Sequence, residues 1–308
     1  MDQAVKPPVF LSIAAVERDT GLSKDTLRVW ERRYGFPIPQ RDQFGERIYP
    51  MDQVDRLRAI RRLMDAGHRP GKIMGLSQEE LQALADRLPS AAARESKEQS
   101  ADLDSLMTLI RKHQVEELRR ELGQRVLRMG LAPFVTEVVA PLTQRVGDSW
   151  ARGQLEIYEE HLFTESMQVI LRNAISTIPH SPRRPKVLLT TFPGEPHGMG
   201  LLMVEALLAL EGCRCVSLGV QTPILDIALA AQSQSIDIIA LSFSQNMNPS
   251  AVAEGLSELR LKVPGSVRIW AGGRCSALLR RAPAGVDVTV ELDDLSQALA
   301  DWRRAHAA

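Results

Sequence analysis

The sequence has few of the features that mark secreted, disulfide-bonded or membrane proteins. Only three of its 308 residues are cysteines, at positions 213, 215 and 275, and none has the C-x-x-C spacing of a zinc site. No apolar run approaches the roughly 18 residues of a membrane span. The first residues, MDQAVKPPVF, lack the basic and then apolar order of a signal peptide. These absences predict a cytoplasmic protein without a membrane partner.

The chain also lacks net charge, since it has 38 basic and 38 acidic residues. The balance is uneven, because residues 1–75 hold 14 lysines and arginines against 10 acidic residues, which leaves 24 against 28 in the remainder. A basic head joined to a more acidic body is typical of a DNA-binding module fused to another module. The length predicts two or three domains.

The head has the capping and turn residues of a helix-turn-helix. Ser12 caps a predicted helix over residues 12–22, and a second helix runs from the Ser23 cap to a stop at Gly35. The second helix carries cations suited to the DNA major groove, at Lys24, Arg28, Arg32 and Arg33. A β-hairpin wing around residues 42–45 adds groups suited to phosphate contacts, at Arg41, Arg47 and Tyr49.

The run TLRVWERRYGFPIPQRDQFGERIY resembles the winged helix-turn-helix of the MerR family, in the branch typified by CarA, CarH and MlrA. The resemblance covers residues 9–78. It implies that the head binds double-stranded promoter DNA as a dimer, that the protein is nucleoid-associated, and that RNA polymerase is a further partner. The alternative is a helical protein-binding domain with a solvated basic face.

The middle of the chain predicts a linker and a helical bundle. Residues 79–101 are polar and small enough for a linker. Residues 102–180 predict a four-helix, up-and-down bundle, with helices at about 102–113, 115–129, 133–150 and 154–178. No sustained heptad repeat is present, so dimerisation is expected to use a surface other than a coiled coil.

Trp150, nine further residues and then Glu160-His161 resemble the W-x9-E-H signature of the helical cap over cobalamin in the CarH type. The resemblance implies that Trp150 covers the upper corrin face and that Glu160 and His161 face it. Core packing for Trp150 and a bundle role for His161 are the alternatives. In the CarH type the next residue is a histidine that binds cobalt after illumination. Ala151 cannot ligate a metal, which predicts a weaker or different light response.

Residues 184–308 alternate strand and helix five times, which predicts a flavodoxin-like, five-stranded parallel α/β domain. The predicted fold class is therefore multidomain α and α/β, with a winged helix-turn-helix head, a four-helix bundle and this α/β domain. Three motifs end its strands: Glu195-x-His197-x-x-Gly200, then Ser242 after 41 residues, then Gly272-Gly273 after 29. Ligands of open parallel sheets bind at such strand ends.

This spacing resembles the cobalamin-binding domain shared by methionine synthase and the B12 mutases. The resemblance implies adenosyl- or methylcobalamin as the cofactor, with His197 as the lower axial ligand of cobalt. Glu195, which stands where the family usually has Asp, would orient the imidazole. As structure alone, residues 195–200 are an ordinary strand-to-helix turn.

The same resemblance assigns three further roles. Gly200 begins a helix that passes close to the cofactor tail, Ser242 hydrogen-bonds its buried base, and Gly272 with Gly273 leaves room for its nucleotide. Ser244 departs from the family, which has Leu there.

Together these features favour a transcriptional regulator in which cobalamin, or a related ligand, sets the oligomeric state and operator affinity. The first alternative is an MlrA-like regulator with a degenerate, ligand-free domain used for dimerisation or partner binding. The second is a B12-dependent enzyme subunit. The chain has no segment long enough for a substrate barrel, and no nucleophile elbow, P-loop or zinc-ligand motif, so we predict that it is not an enzyme.

Overall fold

The computed structural model describes residues 10–65, 67–87, 97–179, 184–280, 283–289 and 291–306. The chain divides into two compact units, residues 1–89 with 148–155, and residues 90–147 with 156–308. Within the described ranges, no helix has the length and apolar character to cross a membrane. Most of the second half of the predicted linker, residues 88–96, lies outside the described part.

The head forms a winged helix-turn-helix, as predicted. Its elements are β1 Phe10–Ser12, α1 Ile13–Thr20, α2 Lys24–Tyr34, β2 Gln40–Arg41, β3 Arg47–Pro50, α3 Met51–Asp65, α4 Pro70–Ile73 and α5 Gln78–Asp86. The hydroxyl of Ser23 accepts from the backbone N–H of Thr26 and caps α2, which ends at Gly35 in the left-handed conformation. The wing is a sheet of order β1-β3-β2.

Helix α5 lies in the first part of the segment predicted as linker. It begins with a capping box, in which Ser77 and Glu80 each bind the other's backbone N–H. Leu81 and Ala85 then pack into the head core beside Leu27 and Trp30. The apolar side of this helix therefore makes it part of the folded head.

The helical region contains four helical segments, one of them interrupted. Its elements are α6 Lys97–Arg111, α7 Val115–Met129, α8 Leu131–Pro133, a π-helical stretch Phe134–Val139, α9 Ala140–Ala151 and α10 Ile157–Ser176. The third predicted helix, 133–150, is thus not a regular α-helix, because its first turns form i to i+5 hydrogen bonds such as Ala140 N–H to Val135 O. Four apolar residues of this stretch are buried.

The α/β domain has the predicted five strands. Its elements are β4 Lys186–Thr190, α11 Met199–Leu210, β5 Arg214–Gly219, α12 Ile224–Ser233, β6 Ile238–Phe243, α13 Pro249–Lys262, β7 Arg268–Gly273, α14 Ser276–Arg280, β8 Val286–Thr289 and α15 Asp294–Ala305. The sheet order is β5-β4-β6-β7-β8 and every pair is parallel. This is the flavodoxin-like order, and the predicted fold class is confirmed.

Alternating residues of each strand fill two cores. Val187 and Leu189 pack with α11 and α15 on one face, while Leu188 packs with α12 and α13 on the other. Because the chain leaves β4 toward one face and β6 toward the other, their following loops diverge. The crevice of a doubly wound sheet lies at that reversal.

Candidate functional site

The loop after β4 holds the histidine in one orientation. Oε1 of Glu195 lies 2.6 Å from Nδ1 of His197 and also accepts the backbone N–H of His197 at 3.1 Å. An ionised carboxylate can only accept, so in the neutral imidazole Nδ1 carries the proton and Nε2 carries the lone pair. The His197 side chain is 56% exposed, whereas that of Glu195 is 1% exposed. A buried carboxylate thus orients an imidazole that reaches the surface.

The second oxygen of the Glu195 carboxylate binds the neighbouring loop. The backbone N–H of Ser244, which follows β6, donates to Oε2 at 2.6 Å. Burial by itself would raise the pKa of Glu195, but the hydrogen bonds from His197 and Ser244 outweigh it and hold that pKa below its ordinary value. Ser244, noted in the sequence only as a departure from the family pattern, is therefore a partner of the site carboxylate.

Thr191 fixes the same loop from behind, and sequence analysis did not identify it. Its hydroxyl donates to the backbone carbonyl of Glu195 at 2.6 Å and accepts the backbone N–H of Gln221 at 2.8 Å. Its own carbonyl accepts from the N–H of Thr222 at 3.0 Å. The signal that could have found it is a polar residue at the end of an otherwise apolar strand.

The predicted glycines lie where the protein itself leaves no space. A Cβ on Gly200 would lie 2.7 Å from Oγ of Ser242, so these two predicted residues are in contact. Ser242 and Gly272 are paired in register across β6 and β7. A Cβ on Gly273, which has φ +104°, would lie 2.2 Å from the carbonyl oxygen of Phe243. The sheet therefore requires a glycine at 273 irrespective of any ligand.

The predicted cap residues make local contacts. Nδ1 of His161 lies 2.7 Å from Oε2 of Glu160, and the hydroxyl of Thr164 donates to the other carboxylate oxygen at 2.6 Å. The His161 side chain is 69% exposed. Trp150 is half-buried near the end of α9, in the segment that groups with the head.

The predicted DNA-binding cations differ in their surroundings. Arg32, Arg33 and Arg41 are exposed. The other three pair with carboxylates of the head: Lys24 with Glu17 at 3.6 Å, Arg28 with Asp25 at 3.1 Å and Arg47 with Glu31 at 2.9 Å. The hydrogen bond from Glu31 raises the pKa of Arg47 and ties the wing to α2. Arg47 therefore holds the wing in place within the head.

Tyr49 requires a correction. It was expected on the outer surface of the wing, but its side chain is completely buried in the head core. The reason is strand alternation, because Tyr49 faces inward from β3 while its neighbours Ile48 and Pro50 do not. The exposed side chains that sequence analysis missed are apolar: Val29 on α2 and Phe44 at the wing tip, 43% and 80% exposed.

Comparison with known families agrees with this architecture. Residues 11–80 match the family described as MerR HTH family regulatory protein. Residues 103–174 and 185–298 match two families that are each described as a B12 binding domain. The chain is a MerR-type transcriptional regulator with B12-binding domains. The three matched segments correspond to the head, the helical region and the α/β domain.

Relatives of this MerR-type regulator have the same order of domains over most of their length. The HTH-type transcriptional repressor CarH of Myxococcus xanthus is 27% identical over 82% of this chain and 85% of its own length. The repressor CarA of the same organism is 28% identical over 80% and 81%. The HTH-type transcriptional regulator MlrA of Escherichia coli is 37% identical, but over 28% of this chain and 36% of its own.

A solved structure supports the fold of the C-terminal part. The Methanosarcina barkeri monomethylamine corrinoid protein superposes with a TM-score of 0.53 at 16% identity. It covers 66% of this chain, and 98% of that protein is matched. At this level of identity the likeness concerns the fold alone.

Proposed function

We propose that this MerR-type regulator binds cobalamin in its α/β domain and that the bound cofactor controls its oligomeric state and its affinity for promoter DNA. The observation that carries the proposal is the pair of Glu195 and His197 at the sheet reversal. His197 has the donor atom that cobalt needs, and the buried Glu195 carboxylate fixes its orientation from the far side of the ring. The residues present therefore fit the group.

His197 would hold the cobalt of the cofactor through Nε2, and Ser242 with the glycines at 200, 272 and 273 would line the tail. When bound, the cofactor supplies a metal centre whose upper ligand can change. The protein's own part is to bind and orient the cofactor and to present one arrangement of the head. Regulation requires that the ligand bind the DNA-competent and DNA-incompetent arrangements with different affinity.

Ala151 limits the upper side of the proposed site. It is the last residue of α9 and is largely buried, with 9% exposure. A methyl group offers cobalt no ligand, so this position leaves His197 without a histidine counterpart at the residue after Trp150. We therefore propose that illumination does not produce a bis-histidine spectrum through position 151.

The DNA-binding role follows from the head, and the proposal extends it to a homodimer or larger homo-oligomer, with RNA polymerase as a further partner, acting in the cytoplasm on the nucleoid. Arg32, Arg33 and Arg41 are exposed at the surface that α2 and the wing present. We further propose that the B12-type domain serves regulation and not enzymatic turnover.

Absorption spectroscopy tests the cofactor proposal. Purified protein is mixed with adenosylcobalamin in the dark, desalted and scanned, alongside His197→Ala and a His68→Ala control from the head. We expect wild type and His68→Ala to retain the corrin and His197→Ala to lose it. If wild type retains none, the ligand-free, MlrA-like regulator is the better account. If His197→Ala retains it with an unchanged spectrum, His197 is not the axial ligand.

A further inference from the structure

The turn between α9 and α10, residues 148–155, groups with the DNA-binding head. We call this segment the cap turn. The side-chain amide of Gln82, on α5 of the head, donates to the backbone carbonyl of Arg152 in the cap turn at 3.0 Å. This hydrogen bond joins residues 70 positions apart in sequence. The cap turn is therefore held by the head as well as by the two helices that it connects.

A second contact involves a glycine that ends α9. Gly153 has φ +70°, and its N–H binds the carbonyl of Trp150 at 2.9 Å, which closes the helix. A Cβ on Gly153 would lie 2.7 Å from Nη1 of Arg62 on α3. The glycine thus meets two demands at once, a left-handed backbone and the close approach of a head guanidinium.

The cap turn also carries the residues that the cofactor-cap signature identified. Trp150 and Ala151 precede Gly153 directly, and Leu155, at 1% exposure, anchors the far end of the turn. The turn is covalently continuous with α9 on one side and with α10 on the other. A displacement of Trp150 therefore strains the contacts to Gln82 and Arg62.

We propose that the head surface formed by Arg62 on α3 and Gln82 on α5 is the docking surface for the cap turn, and that cofactor state reaches the DNA-binding head through this contact. The inference rests on the proposed function for its regulatory part, whereas the docking is independent of any cofactor. A cofactor that binds one position of Trp150 more tightly shifts the docking equilibrium, and the head responds in proportion to that difference.

Hydrogen exchange tests the docking without a cofactor. Amide exchange in residues 148–155 is measured in the full-length protein for wild type, Gln82→Ala and Gln78→Ala, an exposed glutamine on the same helix. Loss of one hydrogen bond should speed exchange in the cap turn about three- to tenfold in Gln82→Ala. Gln78→Ala should match wild type. Wild-type exchange rates in Gln82→Ala would overturn the docking.

A second measurement tests the coupling. The ratio of operator affinities with and without adenosylcobalamin is determined in the dark for wild type, Gly153→Ala and Gly130→Ala. Gly130 also ends a helix with positive φ, but a Cβ there has open space around it. We expect Gly153→Ala to retain the corrin while its affinity ratio moves toward one, and Gly130→Ala to keep the wild-type ratio.

The outcomes separate the two proposals. A wild-type ratio in Gly153→Ala, or an equal change in Gly130→Ala, overturns the coupling. If wild-type protein retains no corrin, the proposed function fails, and the exchange experiment on Gln82→Ala still decides whether the cap turn docks. Should Gly153→Ala fail to fold, Gln82→Ala replaces it in the affinity measurement, with Gln78→Ala as the control.

Discussion

Glu195 binds Nδ1 of His197 with one carboxylate oxygen and the backbone N–H of Ser244 with the other, each at 2.6 Å. His197 belongs to the loop after β4 and Ser244 to the loop after β6, so a single buried side chain joins the two loops that diverge at the sheet reversal. The ring orientation of His197 and the spacing of the two loops consequently depend on the same group.

Replacing Glu195 by Gln keeps the shape of this group and removes its charge. An amide at position 195 accepts more weakly from Nδ1 and can satisfy only one of its two partners as an acceptor. We expect adenosylcobalamin affinity to fall by about 10- to 100-fold, the range typical of a residue that orients a metal-binding histidine. Absorption titration measures it, with Glu258→Gln on the outer helix α13 as the matched control. Equal affinities in the two variants would contradict the orienting role.

Gly273→Ala should destabilise the α/β domain more than Gly194→Ala does. Both residues have positive φ, but the new Cβ at 273 would meet the carbonyl of Phe243 at 2.2 Å, whereas at 194 it has open space. Backbone strain predicts a loss of about 1–2 kcal/mol in Gly194→Ala. The clash should add to that loss in Gly273→Ala. Urea unfolding without ligand compares the two, and equal losses would show that the sheet tolerates the added methyl group.

Arg32→Ala should weaken operator binding, whereas Tyr49→Phe should not. Arg32 is exposed on α2, and each lost phosphate contact lowers the slope of log affinity against log salt by about one. Tyr49 is completely buried, and substitution by Phe removes only its hydroxyl. Gel shifts over a range of salt concentrations measure both. A loss of binding in Tyr49→Phe with unchanged folding would return Tyr49 to the DNA contact surface.

Asp237→Asn should lower stability at neutral pH but not in acid. Burial by itself would raise the pKa of Asp237, but hydrogen bonds from Arg184 and from the N–H of Lys186 hold it below its ordinary value of 3.8. A lowered folded pKa gives stability that is present above 3.8 and is lost as the pH falls through the folded value.

We therefore expect Asp237→Asn to cost about 1–2 kcal/mol at pH 7, a range kept low because Arg184 is well exposed. The difference from wild type should shrink as the pH falls below 3.8. Urea unfolding across this pH range measures it. A difference that stays constant with pH would mean that the carboxylate charge is not what stabilises the domain.

Much of the architecture could be predicted because its signals are local. The Ser23 cap and the Gly35 stop bound the second helix of the head, and both are confirmed. The continuous apolar run of β4 predicted a strand covered on both faces, which the two cores show. The interruption of the third bundle helix was not foreseen, since a π-helical stretch depends on which apolar groups its neighbours bury.

The sequence by itself determined the order of the domains, the helix-turn-helix, the parallel sheet and the placement of His197 at a strand end. These depend on residue spacing, caps and apolar periodicity, which act over a few positions. The tertiary structure decided the burial of Tyr49, the bond from Ser244 to Glu195 and the contact between Gln82 and the cap turn. Those depend on which face of an element turns inward and on groups as many as 70 residues apart, and packing alone fixes such relationships.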